Sequence, residues 1–395
     1  MNAETDFNPE EWVSWVLEHE NEDTSSLALR YAGKKNLPLK ALLHQIKGRR
    51  IAKQKLPSWY QFPTIFYPDS TIIEQCSSEA TALLKATFVK GKKVADLTGG
   101  LGVDSWAFAQ EAASVIFCEP DPSRCEAARK NFTILGLRNI EIVCSDAESM
   151  LQHKSLEGID LIYLDPSRRS EGGNKVFRLK DLRPDVLSLK EALLAQSTEV
   201  MIKLAPMLDI SEGLKQLPET YRVDIISWKG ECRELLFHLK KGFHHQQLYC
   251  HDAGINENPF VFSLTEERDA NLPVAVPGPW IYEPNAAVRK SGAWKSICRQ
   301  FHVKALHANT HLFTSDHFIK DFPGRAFKLL EVLPFKKEIL IDRMKDQRAQ
   351  LVFHNFPESP ERVIQQLNIP SGEPFYLFFV LLANDHPAVL LTERQ

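Results

Sequence analysis

The sequence predicts an α/β fold: a mainly parallel sheet with helices on both faces, preceded by a helical region and followed by a small α+β domain. Two observations carry this expectation. Between about residues 75 and 265, short apolar runs alternate with helix-like stretches, the order that yields a parallel sheet. Four of those runs are followed by an acid, Asp96, Glu119, Asp146 or Asp165, so polar residues gather at the carboxyl edge, where open α/β sheets bind ligands.

Residues 1–70 read as helical because Trp12, Trp15 and Val16, then Leu39, Leu42, Leu43 and Ile46, recur at helical spacing. The charge changes sign inside this region. Glu10, Glu11, Glu18, Glu20 and Glu22 give way to Lys34, Lys35, Lys40, Lys47, Arg49, Arg50, Lys53 and Lys55, followed by Trp59, Tyr60 and Phe62. Such a segment either grips a nucleic-acid backbone and stacks a base or forms a solvated helix face followed by core aromatics.

Residues 71–270 hold the expected sheet, with buried strands at 94–97, 115–119, 140–144, 159–164 and 200–204 and helices at 122–135 and 186–195. A short link through Lys229 and Gly230 suits an antiparallel pair at 223–228 and 234–239, because parallel neighbours need a long crossover. A further strand is expected near 259–264. Residues 271–323 read as a linker and helical region: Pro273, Pro277, Gly278, Pro279 and Pro284 punctuate the chain, and Arg289, Lys290, Lys295, Arg299 and Lys304 mark a basic helix-like stretch. Residues 324–395 read as a small α+β domain, with strands at 327–333, 349–353 and 376–382 and helices at 336–345 and 360–367.

A chain of 395 residues, 44% of them hydrophobic, can bury two or three cores. Its net charge of −3 offers no global attraction to nucleic acid, so any such binding must come from local basic patches. The seven cysteines are scattered and never spaced as CxxC, which argues against zinc and redox-pair chemistry. Cys118 and Cys144 fall in apolar strand runs and are expected to be buried. A reducing cytoplasm is the simplest compartment. The start, MNAETDFNPEEW, does not read as a secretion signal, and the longest apolar run, 375–383, is far short of the ~20 residues of a membrane span.

The chemistry is concentrated in the first strand-to-helix turn, DLTGGLG. Gly99, Gly100 and Gly102 remove Cβ atoms that would keep a ligand from the backbone, and the N–H groups at the following helix start favour an anionic group. As a dinucleotide fingerprint the run is incomplete, since position 105 is Ser105. Asp96 would repel a diphosphate yet attract an ammonium. Glu119 is placed to accept ribose hydroxyls, and Asp146 with Ala147 to meet adenine. Ammonium, ribose and adenine together describe S-adenosylmethionine.

Residues 94–166 resemble class I S-adenosylmethionine-dependent methyltransferases: DLTGGLGVD is similar to their first motif, CEPD to the second, SDA to the third and LDP to the fourth. The resemblance implies a Rossmann-like, seven-stranded methyltransferase sheet and S-adenosyl-L-methionine as cofactor. It further implies cofactor contacts from Asp96, Thr98, Gly99, Gly100, Gly102, Asp104, Glu119, Pro120, Asp146, Ala147 and Asp165, without a metal. DPSRRS, RLKDLRPD, IKLAP and YEPNAAVRKSG resemble bacterial methyltransferases that carry a C-terminal THUMP-like domain. That likeness implies an RNA substrate, tRNA or rRNA, with neither DNA nor membrane as partner.

Two acceptor chemistries are expected. Asp165 and Pro166 match the fourth motif of methyltransferases acting on exocyclic amines, although Ser167 and Arg168 replace its second proline and its aromatic. Arg168 and Arg169 can stack on a base, pair with a phosphate, or simply pair with an acid of the fold. Asp165, Lys203 and Glu234 also resemble the last three members of the Lys-Asp-Lys-Glu tetrad of ribose 2′-O-methyltransferases, with no N-terminal lysine identified. There Lys203 could accept the hydroxyl proton if its pKa were lowered, or form a salt bridge with Glu234. The catalytic candidates are therefore Asp165, Pro166, Arg168 and Lys203. No cysteine sits beside the fourth motif, which argues against a cysteine-dependent route. The alternatives are a catalytically silent RNA-binding or scaffold protein with this fold, and a methyltransferase for a small molecule or protein.

Overall fold

The computed structural model describes residues 9–34, 36–153, 156–168, 178–243, 246–255 and 258–395. The chain divides into two compact units, Met1–Arg222 with Glu234–His245, and Val223–Arg233 with Gln246–Gln395. This division falls within a hairpin and not at the proline-rich stretch near residue 271.

The first unit is built on strands β1 (Lys93–Asp96), β2 (Ser114–Cys118), β3 (Ile140–Val143), β4 (Ile159–Leu164), β5 (Ser197–Leu204), β6 (Thr220–Trp228) and β7 (Glu231–Leu239), each contributing residues to it. Their order is β3-β2-β1-β4-β5-β7-β6. The pairings among β1 to β5 are parallel, while β7 runs antiparallel to β5. Asp96 is in register with Phe117 and Tyr163, and Cys118 with Val143, so the strand ends that precede the motif acids lie along one edge. Val94, Ala95, Leu161, Ile162, Val200, Met201 and Ile202 are buried without alternation, as expected of strands covered on both faces.

Helices α1 (Pro9–His19), α2 (Thr24–Arg30) and α3 (Leu39–Lys55) pack through Val16, Leu27, Leu42 and Ile46. Asp23 starts α2 by accepting the Ser26 N–H at 2.9 Å. The sign change of charge is consumed in part inside this region, and Lys34, Lys40, Lys47 and Lys53 stay exposed. Arg49, 4% exposed, pairs with Glu20 at 3.0 Å, Arg50 donates to the Glu20 and Glu22 carbonyls, and Lys55 donates to the Ile73 carbonyl at 2.9 Å. Nor do the aromatics form an open platform: Trp59 is fully buried, Tyr60 donates to Glu20 at 2.9 Å, and only Phe62 is exposed.

The unit continues through α4 (Pro57–Tyr60), α5 (Ser70–Gln75), α6 (Glu79–Ala86), α7 (Val103–Glu111), α8 (Pro122–Ile134), α9 (Ala147–Gln152), α10 (Val186–Gln196) and α11 (Ile210–Gln216). Asp121, Asp146 and Asp185 each accept backbone N–H groups at the start of α8, α9 and α10.

In the second unit β8 (Gln247–Asp252) and β9 (Phe260–Phe262) pair antiparallel. A separate sheet comprises β10 (Trp280–Pro284), β11 (Lys304–Ala305), β12 (Phe313–Ser315), β13 (Gly324–Pro334), β14 (Ala349–His354), β15 (Phe375–Leu381) and β16 (Pro387–Arg394), in the order β11-β12-β10-β13-β16-β15-β14. Two hydrophobic clusters flank it, one around Leu340, Val363 and Phe379, the other around Ile281, Phe327 and Phe378. Residues 271–323, expected as linker and helices, thus also supply β10, β11 and β12. Among the described residues no helix is long and apolar enough to cross a membrane. Cys118 is buried as expected, but Cys144 lies just past β3 and is exposed.

Candidate active site

The carboxyl edge of β1, β2 and β4 opens into a cavity of ≈ 470 Å³ within the first unit. All the residues expected to meet the cofactor line it: Asp96, Thr98, Gly99, Gly100, Gly102, Asp104, Glu119, Pro120, Asp146, Ala147 and Asp165. Of the catalytic candidates whose side chains are described, Asp165 alone reaches the wall. Pro166 is buried, Lys203 stands behind Asp165, and the Arg168 side chain, like all of Arg169, lies outside the described residues. The cavity also takes in residues outside the quoted motifs, among them Gln75, Cys76, Ser77 and Arg124, and Arg183 of the RLKDLRPD motif, to which the motif reading assigns no role.

The glycines of the first turn are needed for a different reason than ligand approach alone. A Cβ on Gly99 would run into the Phe117 ring, and one on Gly102 would lie 2.6 Å from Phe132. Gly102 also has φ +86° and Gly100 φ +57°, the left-handed region that side chains avoid. Gly100 alone faces space, its nearest neighbour being the Thr98 carbonyl at 3.8 Å. The turn is therefore pressed onto β2 and α8, and its single open residue looks outward.

Asp96, only 1% exposed, accepts the Thr98 N–H at 3.0 Å and the Ser105 hydroxyl at 2.6 Å. Burial pushes its pKa up to about 7 against those hydrogen bonds, and the Asp104 and Asp165 carboxylates push the same way. Glu119 ties the turn to β2, accepting the Gly100 N–H at 2.9 Å and the Asp121 N–H at 3.1 Å. Asp146 both lines the cavity and caps α9 through the Ser149 N–H at 2.7 Å, which lowers its pKa.

Behind Asp165 lies a buried charge network. Lys203 on β5 donates to Asp165 at 2.5 Å and to Ser77 at 3.2 Å, with Glu234 of β7 3.9 Å away. Lys85 of α6, fully buried, reaches Glu234 and Asp104 at 2.9 Å each and donates to Ser77 at 2.7 Å. Tyr163 donates to Asp104 at 2.8 Å. Burial alone would lower the Lys203 pKa; the surrounding Asp165, Asp104 and Glu234 carboxylates reverse this and hold it well above the ordinary lysine value. Of the two alternatives for Lys203, the arrangement agrees with the ion pair, Glu234 standing 3.9 Å away. Lys85, which motif reading did not pick, belongs to the same network. Its signal was a lysine on the buried stripe of a helix, three residues after Ala82 and one before Ala86.

A family model described as a ferredoxin-like domain matches residues 280–323, and one described as THUMP domain-like matches residues 324–394. The chain is 22% identical over 309 residues to proteins of two Mycobacterium tuberculosis strains, CDC 1551 / Oshkosh and ATCC 25618 / H37Rv. Each is described as an uncharacterized S-adenosylmethionine-dependent methyltransferase, and the match covers 76% of this chain and 81% of each relative. The crystal structure of a candidate methyltransferase from Porphyromonas gingivalis W83 matches with TM-score 0.86 and 28% identity, covering 98% of this chain and 99% of that one. The chain is a class I S-adenosylmethionine-dependent methyltransferase with a C-terminal THUMP-like domain. In this methyltransferase the acids at the ends of β1, β2 and β4, with Asp146 after β3, line the cavity with groups suited to a cationic nucleoside.

Proposed function

We propose that this methyltransferase modifies RNA, on a nucleotide whose acceptor group hydrogen-bonds to Asp165. One observation carries the proposal. The Asp165 carboxylate lines the cavity with one oxygen tied to Lys203, while the other has no partner among the described residues. The THUMP-like match at residues 324–394 supports RNA as the substrate class.

The cavity fits S-adenosylmethionine because it is walled by carboxylates and offers the outward-facing Gly100 as a point of close approach. In this assignment Glu119 and Pro120 flank the ribose, Asp146 and Ala147 the adenine, and Asp96, Thr98, Gly99, Gly100, Gly102 and Asp104 the amino-acid end. When bound, the cofactor supplies a methyl group activated by its sulfonium. The chain supplies alignment: an acceptor hydrogen held by Asp165 aims the acceptor lone pair, and Lys203 keeps the carboxylate from turning.

An exocyclic base amine suits this arrangement best, since Lys203 stays cationic and Asp165 offers an unshared oxygen to an N–H. A ribose 2′-hydroxyl is the second reading, favoured by the convergence of Lys85, Asp165, Lys203 and Glu234. The test is methyl transfer to RNA from a deletion strain, followed by mass spectrometry of its nucleosides. A base-methylated nucleoside is expected; a ribose-methylated one transfers the assignment to the hydroxyl. Incorporation no greater than that of an Asp165→Ala control overturns the RNA reading.

A further inference from the structure

The cavity wall beside Asp165 carries a cation that the cofactor assignment does not use. Just after the fourth motif, Ser167 pairs antiparallel with Arg183 in a two-residue ladder, so the RLKDLRPD segment folds back and sets Arg183 on the wall. The other lining arginine, Arg124, stands 3.7 Å from Glu119 and 3.8 Å from Asp121. Among the described residues Arg183 has no ion-pair partner, and its guanidinium donates to the Leu182 carbonyl at 2.7 Å. Its side chain is half-buried. A guanidinium steadied through one nitrogen keeps its remaining donors for an anion.

Arg124 apart, the other charged residues of the lining are acidic, Asp96, Asp104, Glu119, Asp146, Glu148 and Asp165. A phosphate is repelled along that stretch and attracted at Arg183, whereas a sulfonium or ammonium is attracted by the acids and repelled by Arg183. Charge therefore sorts the two ligands to different parts of one cavity. We infer that Arg183 binds a backbone phosphate next to the target nucleotide and so fixes which nucleotide stands before Asp165. The inference rests on the RNA reading above, and it follows the general division in which phosphate contacts set register.

The test compares full-length wild-type protein with Arg183→Ala and Arg183→Lys. S-adenosylmethionine affinity is measured by titration calorimetry, and transfer kinetics are measured on RNA from the deletion strain. In Arg183→Ala the cofactor Kd stays within about twofold, which also reports an intact fold. KM for RNA rises about tenfold with kcat little changed, and the salt slope of RNA binding falls by about one. Arg183→Lys restores part of the loss. An unchanged KM overturns the inference, as does a cofactor Kd that weakens in step with KM, which would place Arg183 on the cofactor carboxylate. Wild-type protein that transfers no methyl to RNA is a separate result: it overturns the substrate reading itself and this inference with it.

Discussion

Lys203 separates two kinds of chemistry, because a lysine surrounded by three carboxylates holds its proton and acts through position. Arginine keeps the charge but cannot serve as a base at any accessible pH. Lys203→Arg is therefore expected to retain more than a tenth of kcat, whereas Lys203→Met loses about a hundredfold; single-turnover transfer rates check this. Equal inactivity of both variants would mean that Lys203 gives and takes the proton. Asp96 makes a prediction about pH. Its pKa of about 7 in the folded chain exceeds the ordinary 3.8, so its burial favours folding most at low pH, and that contribution is lost as pH rises through about 7. Asp96→Asn should flatten the fall of Tm as pH rises from 5 to about 7 and leave the variant more stable than wild type at pH 8. The same variant should bind S-adenosylmethionine more weakly at pH 8. Wild-type affinity should increase as pH rises through 7, because only the ionised carboxylate attracts a cation.

At the level of elements, the turn after β1 is held by packing before any ligand arrives. Gly99→Ala and Gly102→Ala should each cost roughly 1–3 kcal/mol of stability without ligand, from the clashes with Phe117 and Phe132. Denaturant melts of the ligand-free protein measure this, and an unchanged midpoint would return the glycines to ligand approach alone. The core strands were legible because β1, β2 and β4 are apolar runs closed by a motif acid. The strands missed had weaker local signals. Trp280–Pro284 ends in a proline within a punctuated stretch, and Pro387–Arg394 begins with one and lacks polar alternation. The burial of Lys85 could be read from its place on the apolar stripe of α6, but its partners could not: Asp104 comes from the first turn of α7 and Glu234 from within β7, and spacing along the chain carries no trace of them. The basic segment of α3 misled for the converse reason, since Arg49 pairs with the Glu20 carboxylate and Arg50 with the Glu20 and Glu22 carbonyls, in the turn that links α1 to α2.

For the molecule as a whole, this difference decides which charges to test. Arg49→Ala strands the buried Glu20 and should cost about 3–5 kcal/mol, read as a fall in the urea midpoint. Charge reversal at the exposed Lys47 should leave stability within about 0.5 kcal/mol; any loss of RNA affinity there then reports binding and not folding. Cofactor at a hundred times its Kd should add about 2.7 kcal/mol to the stability of the unit that binds it.

The hairpin of β6 and β7 has a further consequence. Because Val223–Arg233 and Glu234–His245 fall on opposite sides of the division, the polypeptide leaves one unit, returns, and leaves again. A fragment ended at residue 222 forfeits the strand that pairs with β5 and brings Glu234; one ended at 245 keeps a stretch whose companions are gone. No one scission yields both units whole, so a truncation meant to isolate either of them must keep residues of the other or give up some of its own.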